Sequence, residues 1–311
     1  MRYSEKALNV ISALKYCKGI GPAWINKNVN AINDVNDMWE RICMSTKQEH
    51  TFGSFLRYRE SIQNALEKDE CADGVVVIGD SDFPVLPEVI KGGERPVALF
   101  YQGNISLLHN LLKNVAVIGV LNPTEEIIER EKAFVKELII AGFNIVSGLA
   151  KGCDSVAHKQ ALDSDGVTIA ILPSTLRNIT PTENRQLANR IVSRKGLLVT
   201  EYFEEVASKK ELVDRYIKRD RLQAMFSKAV CLAASYAPNN QGNDSGSRHA
   251  MGKAREYFIS RYVMYNKDKD SSDPQFDLNR WLLEDPSVRI ITAKSIAELS
   301  RETKFNSTLF G

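Results

Sequence analysis

Several features typical of secreted, membrane-spanning or metal-binding proteins are missing from this sequence. The five cysteines are scattered and include no C-x-x-C pair, which argues against a disulfide framework and a cysteine-ligated zinc site. The four histidines are equally dispersed, so the sequence indicates no metal site. No long apolar run occurs and the N-terminus carries charged residues, which predicts neither a signal peptide nor a membrane span. We therefore expect a cytoplasmic protein with no membrane partner, metal or other cofactor.

The chain also lacks an excess of charge of one sign. Its formal net charge is +2, and charged residues make up 26% of the sequence. The overall charge therefore argues neither for nor against a nucleic-acid partner, and any basic site must be local. A hydrophobic content of 43% in 311 residues allows a large core and two domains.

The first 70 residues are predicted to form a small helical domain. Apolar residues recur at three- and four-residue spacing over 7–16, 24–32 and 38–43. Between the first two helices, the turn G-I-G-P at 19–22 puts a proline at a first helical position. The turn resembles that of helix-hairpin-helix or SAM-like modules, in which glycine amides face DNA phosphates. It is equally compatible with a plain connection between helices.

From residue 75 onward, short apolar segments alternate with helical periodicity. We predict strands at 75–78, 97–101, 115–118, 144–146, 167–172, 197–200, 229–233, 262–265 and 288–292. We predict helices at 125–141, 155–162, 183–194, 218–226, 248–260 and 295–300. This alternation predicts a Rossmann-like α/β domain over 75–300, with a mostly parallel sheet and helices on both faces. Residues 301–311 are expected to form a loose tail.

The most informative segment is S-G-L-A-K-G-C-D at 147–154, directly after an apolar run. Backbone amides in such a strand-to-helix turn form a concave site for a phosphate or carboxylate, together with the positive end of the helix. Lys151 would add a mobile cation, and Asp154 stands where the helix N-cap is expected, with Ser155 as the neighbouring candidate. A tight βα turn alone would also require two glycines, so the interpretation depends on other segments.

Two further segments are predicted to meet this turn at the carboxyl ends of the strands, where such sheets bind ligands. One is a basic helix start at 218–221, and the other is the S-G-S-R turn at 245–248, a second candidate anion site. Arginine side chains bind phosphate bidentately and stack on bases. Ion pairs with Asp214 and Asp220 are the alternative role for the arginines at 219 and 221.

Several motifs, taken in order, resemble the DNA-processing protein A family (DprA, also called Smf). The family's S-G-L-A-x-G-x-D-x-x-A-H motif matches 147–158, and its G-D-x-x-Y-P motif is similar to 79–84. Segments similar to its Y-P-x-x-N, S-E-Y-P, R-N-R and S-G-S-x-x-T motifs follow at 180–184, 200–202, 219–221 and 245–250. The resemblance covers roughly residues 75–300.

The resemblance implies a protein that binds single-stranded DNA and helps to load a RecA-like recombinase onto it. It also implies a non-catalytic role and self-association, commonly as a homodimer. Together with the residue patterns, it assigns DNA or phosphate contacts to Ser147, Gly148, Lys151, Gly152, Asp154, Arg177, Asn184, Lys218, Arg219, Arg221, Ser245, Gly246, Ser247 and Arg248.

The chain departs from the family pattern on the side expected to face a ligand. The family's G-S-R reads G-V-L at 119–121, so a phosphate-contacting arginine is missing. Thr180 replaces the tyrosine before Pro181, which removes an aromatic platform for a base. These losses keep open an alternative, a Rossmann-like sensor that binds a nucleotide or a nucleotide-derived ligand. An enzyme is least expected, because neither a G-x-G-x-x-G nor a P-G-G-x-G-T motif occurs.

Overall fold

The structure, a computed structural model, describes residues 3–239 and 246–309, with side chains up to residue 301. Nine strands form one mixed sheet in the order β1-β2-β6-β5-β4-β3-β7-β8-β9. They are β1 Gly74–Val77, β2 Ala98–Gly103, β3 Asn114–Ile118, β4 Asn144–Ser147, β5 Thr168–Ile171, β6 Leu197–Thr200, β7 Ala229–Leu232, β8 Ser260–Val263 and β9 Val288–Ile290. The β1–β2 and β2–β6 pairs are antiparallel and the pairs from β6 to β9 are parallel, so the predicted Rossmann-like fold is confirmed.

Helices cover both faces of this sheet. They are α1 Glu5–Tyr16, α2 Pro22–Asn28, α3 Val35–Ser45, α4 Phe52–Glu67, α5 Glu125–Ile140, α6 Cys153–Asp163, α7 Arg185–Ser193, α8 Lys209–Met225, α9 Ser247–Glu256, α10 Lys267–Asp270, α11 Asp277–Leu282 and α12 Ala293–Leu309. Alternate residues of β3 face opposite layers: Val115 and Val117 pack with α5 and α6, whereas Ala116 and Ile118 pack with α8 and α9. The central strands are therefore apolar throughout, as parallel strands between two helical layers must be.

The N-terminal helices share their core with one edge of the sheet. Leu8 and Ile11 of α1 belong to the same buried cluster as Val77 of β1, Phe100 of β2 and Leu198 of β6. The helical region expected at 1–70 thus packs directly on the α/β layer. At the other end of the chain, α12 continues through residues 301–309, where a loose tail was expected.

The start of α8 differs most from the sequence prediction. The Ser208 hydroxyl accepts the amide of Glu211 and caps a helix that begins at Lys209, nine residues before the predicted start. The apolar residues at 212, 213, 216 and 217 have helical spacing, but they lie among charged residues and outside the predicted helix at 218–226. The prediction of a basic helix start at 218–221 is therefore wrong, because these residues lie inside α8.

Strand order changes direction beside β3. The chain proceeds from β3 through β4 and β5 to β6 on one side, and then returns to place β7 on the other side of β3. Connections after β3 and β7 therefore diverge and leave a crevice at the carboxyl ends of these two strands, where open α/β sheets bind ligands.

Candidate functional site

The turn between β4 and α6 is shaped by close backbone contact with the segment after β3. Gly152 has φ +70°, and a β-carbon there would lie 2.3 Å from the carbonyl oxygen of Val120. Only glycine fits this position. Gly152 is also the N-cap residue of α6, so the expectation that Asp154 or Ser155 caps the helix is wrong.

Asp154 instead lies in the first turn of α6 and points back into the turn at 147–152. Its Oδ2 accepts the backbone amides of Gly148 at 3.1 Å and Ala150 at 3.3 Å. Burial raises the pKa of the Asp154 carboxyl, while nearby Arg219 and the two amides oppose the rise. The amides expected to receive a ligand anion are thus already bonded to an internal carboxylate. We call residues 147–154 the cradle.

Arg219 reaches this cradle from α8, but as a buried support. The residue is 4% exposed, and its Nη1 donates to the carbonyl of Ile171 at 3.3 Å. Its guanidinium lies 3.8 Å from Oδ2 of Asp154 and 3.2 Å from Oδ1 of Asp220. Oriented with its side-chain oxygen toward the cradle, Gln223 accepts from Arg219 at 2.9 Å and from the amide of Gly148 at 3.0 Å. Arg219 therefore shapes the cradle and faces two carboxylates.

Two other predicted site residues also use their polar groups inside the protein. The Ser147 hydroxyl donates to the carbonyl of Val117 at 2.7 Å. The Asn184 amide donates to the carbonyls of Leu149 at 2.8 Å and Ala150 at 3.1 Å, and to the Ser155 hydroxyl at 2.9 Å. Both residues are buried, so they hold the turn in place from below.

A cleft of about 550 Å³ opens at the carboxyl end of β3, between the cradle, α8 and the start of α9. Lys151 lines one side and is exposed, with its Nζ 2.6 Å from Glu183. The start of α9 lines the other side, where Gly246 caps the helix with φ +72° and Ser247 contacts the carbonyl of Gly119 at 3.4 Å. Arg248 follows there and is exposed. The remaining lining residues are Ile118, Gly119, Leu121, Ala150, Asp154, Pro181, Val213, Tyr216, Ile217, Arg219, Asp220, Gln223 and His249.

An apolar wall runs along the same cleft. Leu121, Val213 and Ile217 are 48%, 56% and 43% exposed, and the half-buried ring of Tyr216 lies between the latter two along α8. The guanidinium carbon of Arg219 is 5.5 Å from the centre of the Tyr216 ring. Sequence reasoning missed this wall because it began α8 too late. The signal was an apolar triad at 213, 216 and 217, spaced for one face of a helix.

The comparisons with known proteins agree with this fold. Residues 74–298 match the family model of DNA recombination-mediator protein A. The chain belongs to this family. It is 28% identical to protein Smf of Escherichia coli over 82% of this chain and 64% of that protein. It is also 32% identical to DNA processing protein DprA of Streptococcus pneumoniae over 53% of this chain and 55% of that protein. The chain thus spans about half to two thirds of the length of these curated relatives.

Two solved DprA structures are similar to this one. The X-ray structure from Streptococcus pneumoniae has a TM-score of 0.61 at 22% identity, covering 94% of this chain and 91% of that chain. A structure that describes the single-stranded DNA binding mode of DprA from Helicobacter pylori has a TM-score of 0.59 at 26% identity. It covers 73% of this chain and 96% of that chain. The DprA fold accounts for the sheet that positions the cleft.

Three basic residues that the DprA resemblance assigned to DNA do not line the cleft. Arg221 donates two 2.7 Å bonds to Glu201 and one of 2.8 Å to the carbonyl of Glu94. Lys218 is exposed on α8 outside the cleft lining, and Arg177 is exposed 3.8 Å from Asp69. The expected convergence of these cations with the cradle is therefore not observed. Ser245, also assigned to DNA, lies outside the described residues.

The potential nucleophile and base nearest the cradle are buried and uncharged. His158 is fully buried, and burial lowers its pKa to about 3. Burial also raises the pKa of the Cys153 thiol well above its ordinary value. Among the described residues, no group of three or more His, Cys, Asp or Glu side chains is arranged to hold a metal ion. In the same part of the chain, no helix has the length and apolar character needed to cross a membrane.

The glycine turn of the N-terminal helices is closed by its own neighbours. Pro22 occupies the start of α2 as predicted, after Gly21 as N-cap. The Lys18 amide donates to the Gln48 side chain at 3.1 Å, and the Lys18 Nζ lies 3.0 Å from Glu49. Lys18 is thus paired within the N-terminal helices, and a contact of the glycine amides with DNA stays a prediction.

Proposed function

We propose that this chain binds single-stranded DNA in the cleft between the cradle, α8 and the start of α9 and presents it to a RecA-like recombinase, without catalysing a reaction. One observation carries the proposal: Lys151 and the start of α9 line the same cleft as an apolar wall that contains Tyr216. Cations that follow the backbone and an aromatic face for a base are the two elements that single-strand binding requires. The DNA-binding mode described for the Helicobacter pylori relative supports the same choice of ligand.

We assign the phosphate contacts to Lys151 and Arg248, two exposed residues that form the rim of the cleft. The Lys151–Glu183 pair is 57% and 61% exposed, so water and salt screen its attraction. Lys151 can therefore exchange Glu183 for a phosphate at little cost. Arg248 lies in the first turn of α9, where helix amides add to its positive charge.

The buried, uncharged state of His158 and Cys153 supports a non-catalytic role. A general base needs access to the substrate and a pKa near the working pH, and His158 has neither. A thiol with a raised pKa is a poor nucleophile at neutral pH. We infer that the cleft binds and positions its ligand only.

The test is anisotropy of a labelled oligothymidine across a salt series. The double variant Lys151→Gln, Arg248→Gln should bind more weakly, with a logarithmic salt slope shallower by about 1.4, because each lost phosphate contact removes about 0.7. The matched control is Lys159→Gln, Arg255→Gln, which removes two exposed cations from α6 and α9 away from the cleft. Equal affinity and slope in the test variant and the wild type would refute the site.

The recombinase, the homodimer and the cytoplasmic location are parts of the proposal that need their own measurements. We expect the chain to accelerate filament formation by a RecA-type recombinase on single strands coated with a single-strand-binding protein. Light scattering should give twice the mass of 34.9 kDa for a dimer. Cell fractionation should recover the chain with the cytoplasm, where these partners meet. A monomer, an absence of acceleration or a different fraction would each remove that part alone.

A nucleotide sensor is the second candidate, and the apolar wall favours it. A cleft of about 550 Å³ with three exposed aliphatic side chains suits a single nucleotide as well as a strand. Calorimetry with mononucleotides and dinucleotides at two salt concentrations separates the candidates. A sensor binds one of them tightly with little dependence on salt, whereas a strand binder needs the longer polyanion and loses affinity as salt rises.

A further inference from the structure

The buried side of the cleft is lined by Asp154, Arg219 and Asp220, which we call the floor, and it already contains an anion. Asp154 accepts the two cradle amides, of Gly148 and Ala150, and lines the cleft above them. We propose that Asp154 determines which part of a bound strand enters this floor: its carboxylate takes the place of a ligand phosphate, so phosphates stay at the rim and an uncharged part of the nucleotide occupies the floor. This inference rests on the proposed single-strand binding.

The first argument is occupancy of the amides. Turns of this kind bind anions because their backbone N–H groups converge on one point. Here that point is held by Oδ2 of Asp154 at 3.1 and 3.3 Å, and Gln223 adds a second acceptor for the Gly148 amide. A phosphate could reach these donors only by displacing a buried carboxylate that is covalently part of α6.

The second argument is the balance of charge at the floor. Arg219 lies 3.8 Å from Asp154 and 3.2 Å from Asp220, so its guanidinium faces two carboxylates. The side chains of Asp154, Arg219 and Asp220 are 8%, 5% and 11% exposed, so water screens them weakly. An entering phosphate would add a third negative charge to this group. An uncharged base or sugar would not.

The third argument is the contrast with the rim. Lys151 and Arg248 are both exposed and carry their charge at the outer edge of the same cleft. Tyr216 and the aliphatic wall line the same cleft. This layout orients a nucleotide with its phosphate outward and its uncharged part inward.

The test is Asp154→Asn, which removes the charge and keeps a side-chain oxygen for the amides. We expect oligothymidine to bind several-fold more tightly at low salt, with a salt slope steeper by about 0.7, because a neutral side chain neither repels a phosphate nor holds the two amides as strongly, so the floor admits one more phosphate. Asp163→Asn is the matched control, since it removes an exposed carboxylate from the last residue of α6. Its slope should equal that of the wild type. Weaker binding by folded Asp154→Asn with an unchanged slope would overturn the inference.

A second measurement needs no variant and covers the case in which Asp154→Asn does not fold. An oligonucleotide of abasic sites has the same phosphates and no bases. Wild type should bind it at least about tenfold more weakly than oligothymidine, because the floor and wall lose their occupant. Equal binding of the two would place phosphates in the floor and overturn the inference while leaving strand binding intact. If wild type binds neither, the proposed function itself fails.

Discussion

The guanidinium group of Arg219 lies directly on the α-carbon of Gly148. A β-carbon at position 148 would be 1.1 Å from Nη1 of Arg219 and 2.6 Å from the side-chain amide of Gln223. The contact joins the cradle after β4 to the middle of α8, and only a residue without a side chain permits it. Gly148 is therefore required for close packing between two distant segments.

Gly148→Ala tests this contact. The methyl group must push Arg219 out of its buried position, which costs about 1–3 kcal/mol of unfolding free energy as overpacking does. It also breaks the bond to Ile171 and leaves Asp154 without its cation. Urea denaturation measures the loss. The control is Gly252→Ala in α9, where no atom of the described residues lies within 4 Å of an added β-carbon, so this variant should gain about 0.5–1 kcal/mol. Similar stability changes for both variants would contradict the packing argument.

Arg221 is expected to act on stability and not on DNA. Its pair with Glu201 is bidentate, with side chains 14% and 17% exposed. Arg221→Ala leaves a mostly buried carboxylate unpaired and should cost roughly 3 kcal/mol in urea denaturation. The salt slope for oligothymidine should not change, because the side chain lies outside the cleft. A shallower slope at wild-type stability would instead place Arg221 on the DNA.

Tyr216 is expected to stack on a base. Tyr216→Ala should weaken binding of oligothymidine by about 1–3 kcal/mol, the usual range for a base–aromatic contact. The salt slope should remain that of the wild type, because no cation is removed. Tyr216→Phe keeps the ring and serves as the control, with affinity close to wild type. If both variants bind alike, the ring does not contact the ligand.

His158 should make stability depend on pH below neutrality. The Thr168 hydroxyl donates to the carbonyl of Ile145, so it accepts from Nδ1 of His158 at 2.6 Å. Burial, with Arg219 nearby, lowers the pKa of His158 from 6.5 to about 3. The unfolded chain therefore binds a proton that the folded one refuses. The contribution of neutral His158 to the free energy of unfolding is fully present above pH 6.5. It is lost as the pH falls toward 3, by up to about 1.4 kcal/mol per pH unit.

The variant His158→Gln removes this titration. The free energy of unfolding of the variant should fall furthest below that of the wild type near pH 7. This difference should shrink between pH 6.5 and 5, as measured by denaturation at each pH. His109→Gln, at a ring that is 41% exposed, is the control. A deficit for His158→Gln that stays constant with pH would show that the ring charges freely in the folded protein.

Glu131 should have the opposite dependence. It is fully buried on α5 beside Cys153, and neither carboxyl oxygen has a hydrogen-bond partner of nitrogen or oxygen among the described residues. Burial raises its pKa well above the ordinary 4.5, so the folded state keeps a proton that the unfolded state releases. The contribution of protonated Glu131 to the free energy of unfolding is fully present below pH 4.5, and it is lost as the pH rises toward the pKa of the folded state.

The amide of Glu131→Gln does not ionise. The variant should therefore be more stable than wild type near pH 8, and this advantage should diminish toward pH 4.5. Glu129→Gln, an exposed change on the same helix, should show no such trend. A variant that is less stable than wild type throughout this range would mean that the Glu131 carboxylate is paired in the folded protein.

Much of the fold could be predicted from local patterns. The strand at Leu197–Thr200 and the start of α5 at Glu125 agree with the predicted bounds, because β-branched runs and a threonine N-cap are signals within a few residues. The start of α8 was missed because its apolar residues at 212, 213, 216 and 217 are few and lie among charged residues, which weakens the periodic signal. The strand-to-helix turn at 147–154 and the role of Asp154 in holding its shape were predicted correctly, whereas the N-cap at Gly152 and the burial of Arg219 were not.

The sequence by itself determined the alternation of strands and helices, and with it a mostly parallel sheet and a turn of glycines at a strand end. Tertiary structure alone decided the role of each charge. Asp154 accepts a hydrogen bond from the Gly148 amide, and Arg219 is buried against the same glycine. Arg221 donates to Glu201 instead of lining the cleft. The physical reason is range: periodicity and capping act over a few residues, whereas a charge is paired by whatever segment the sheet order brings against it.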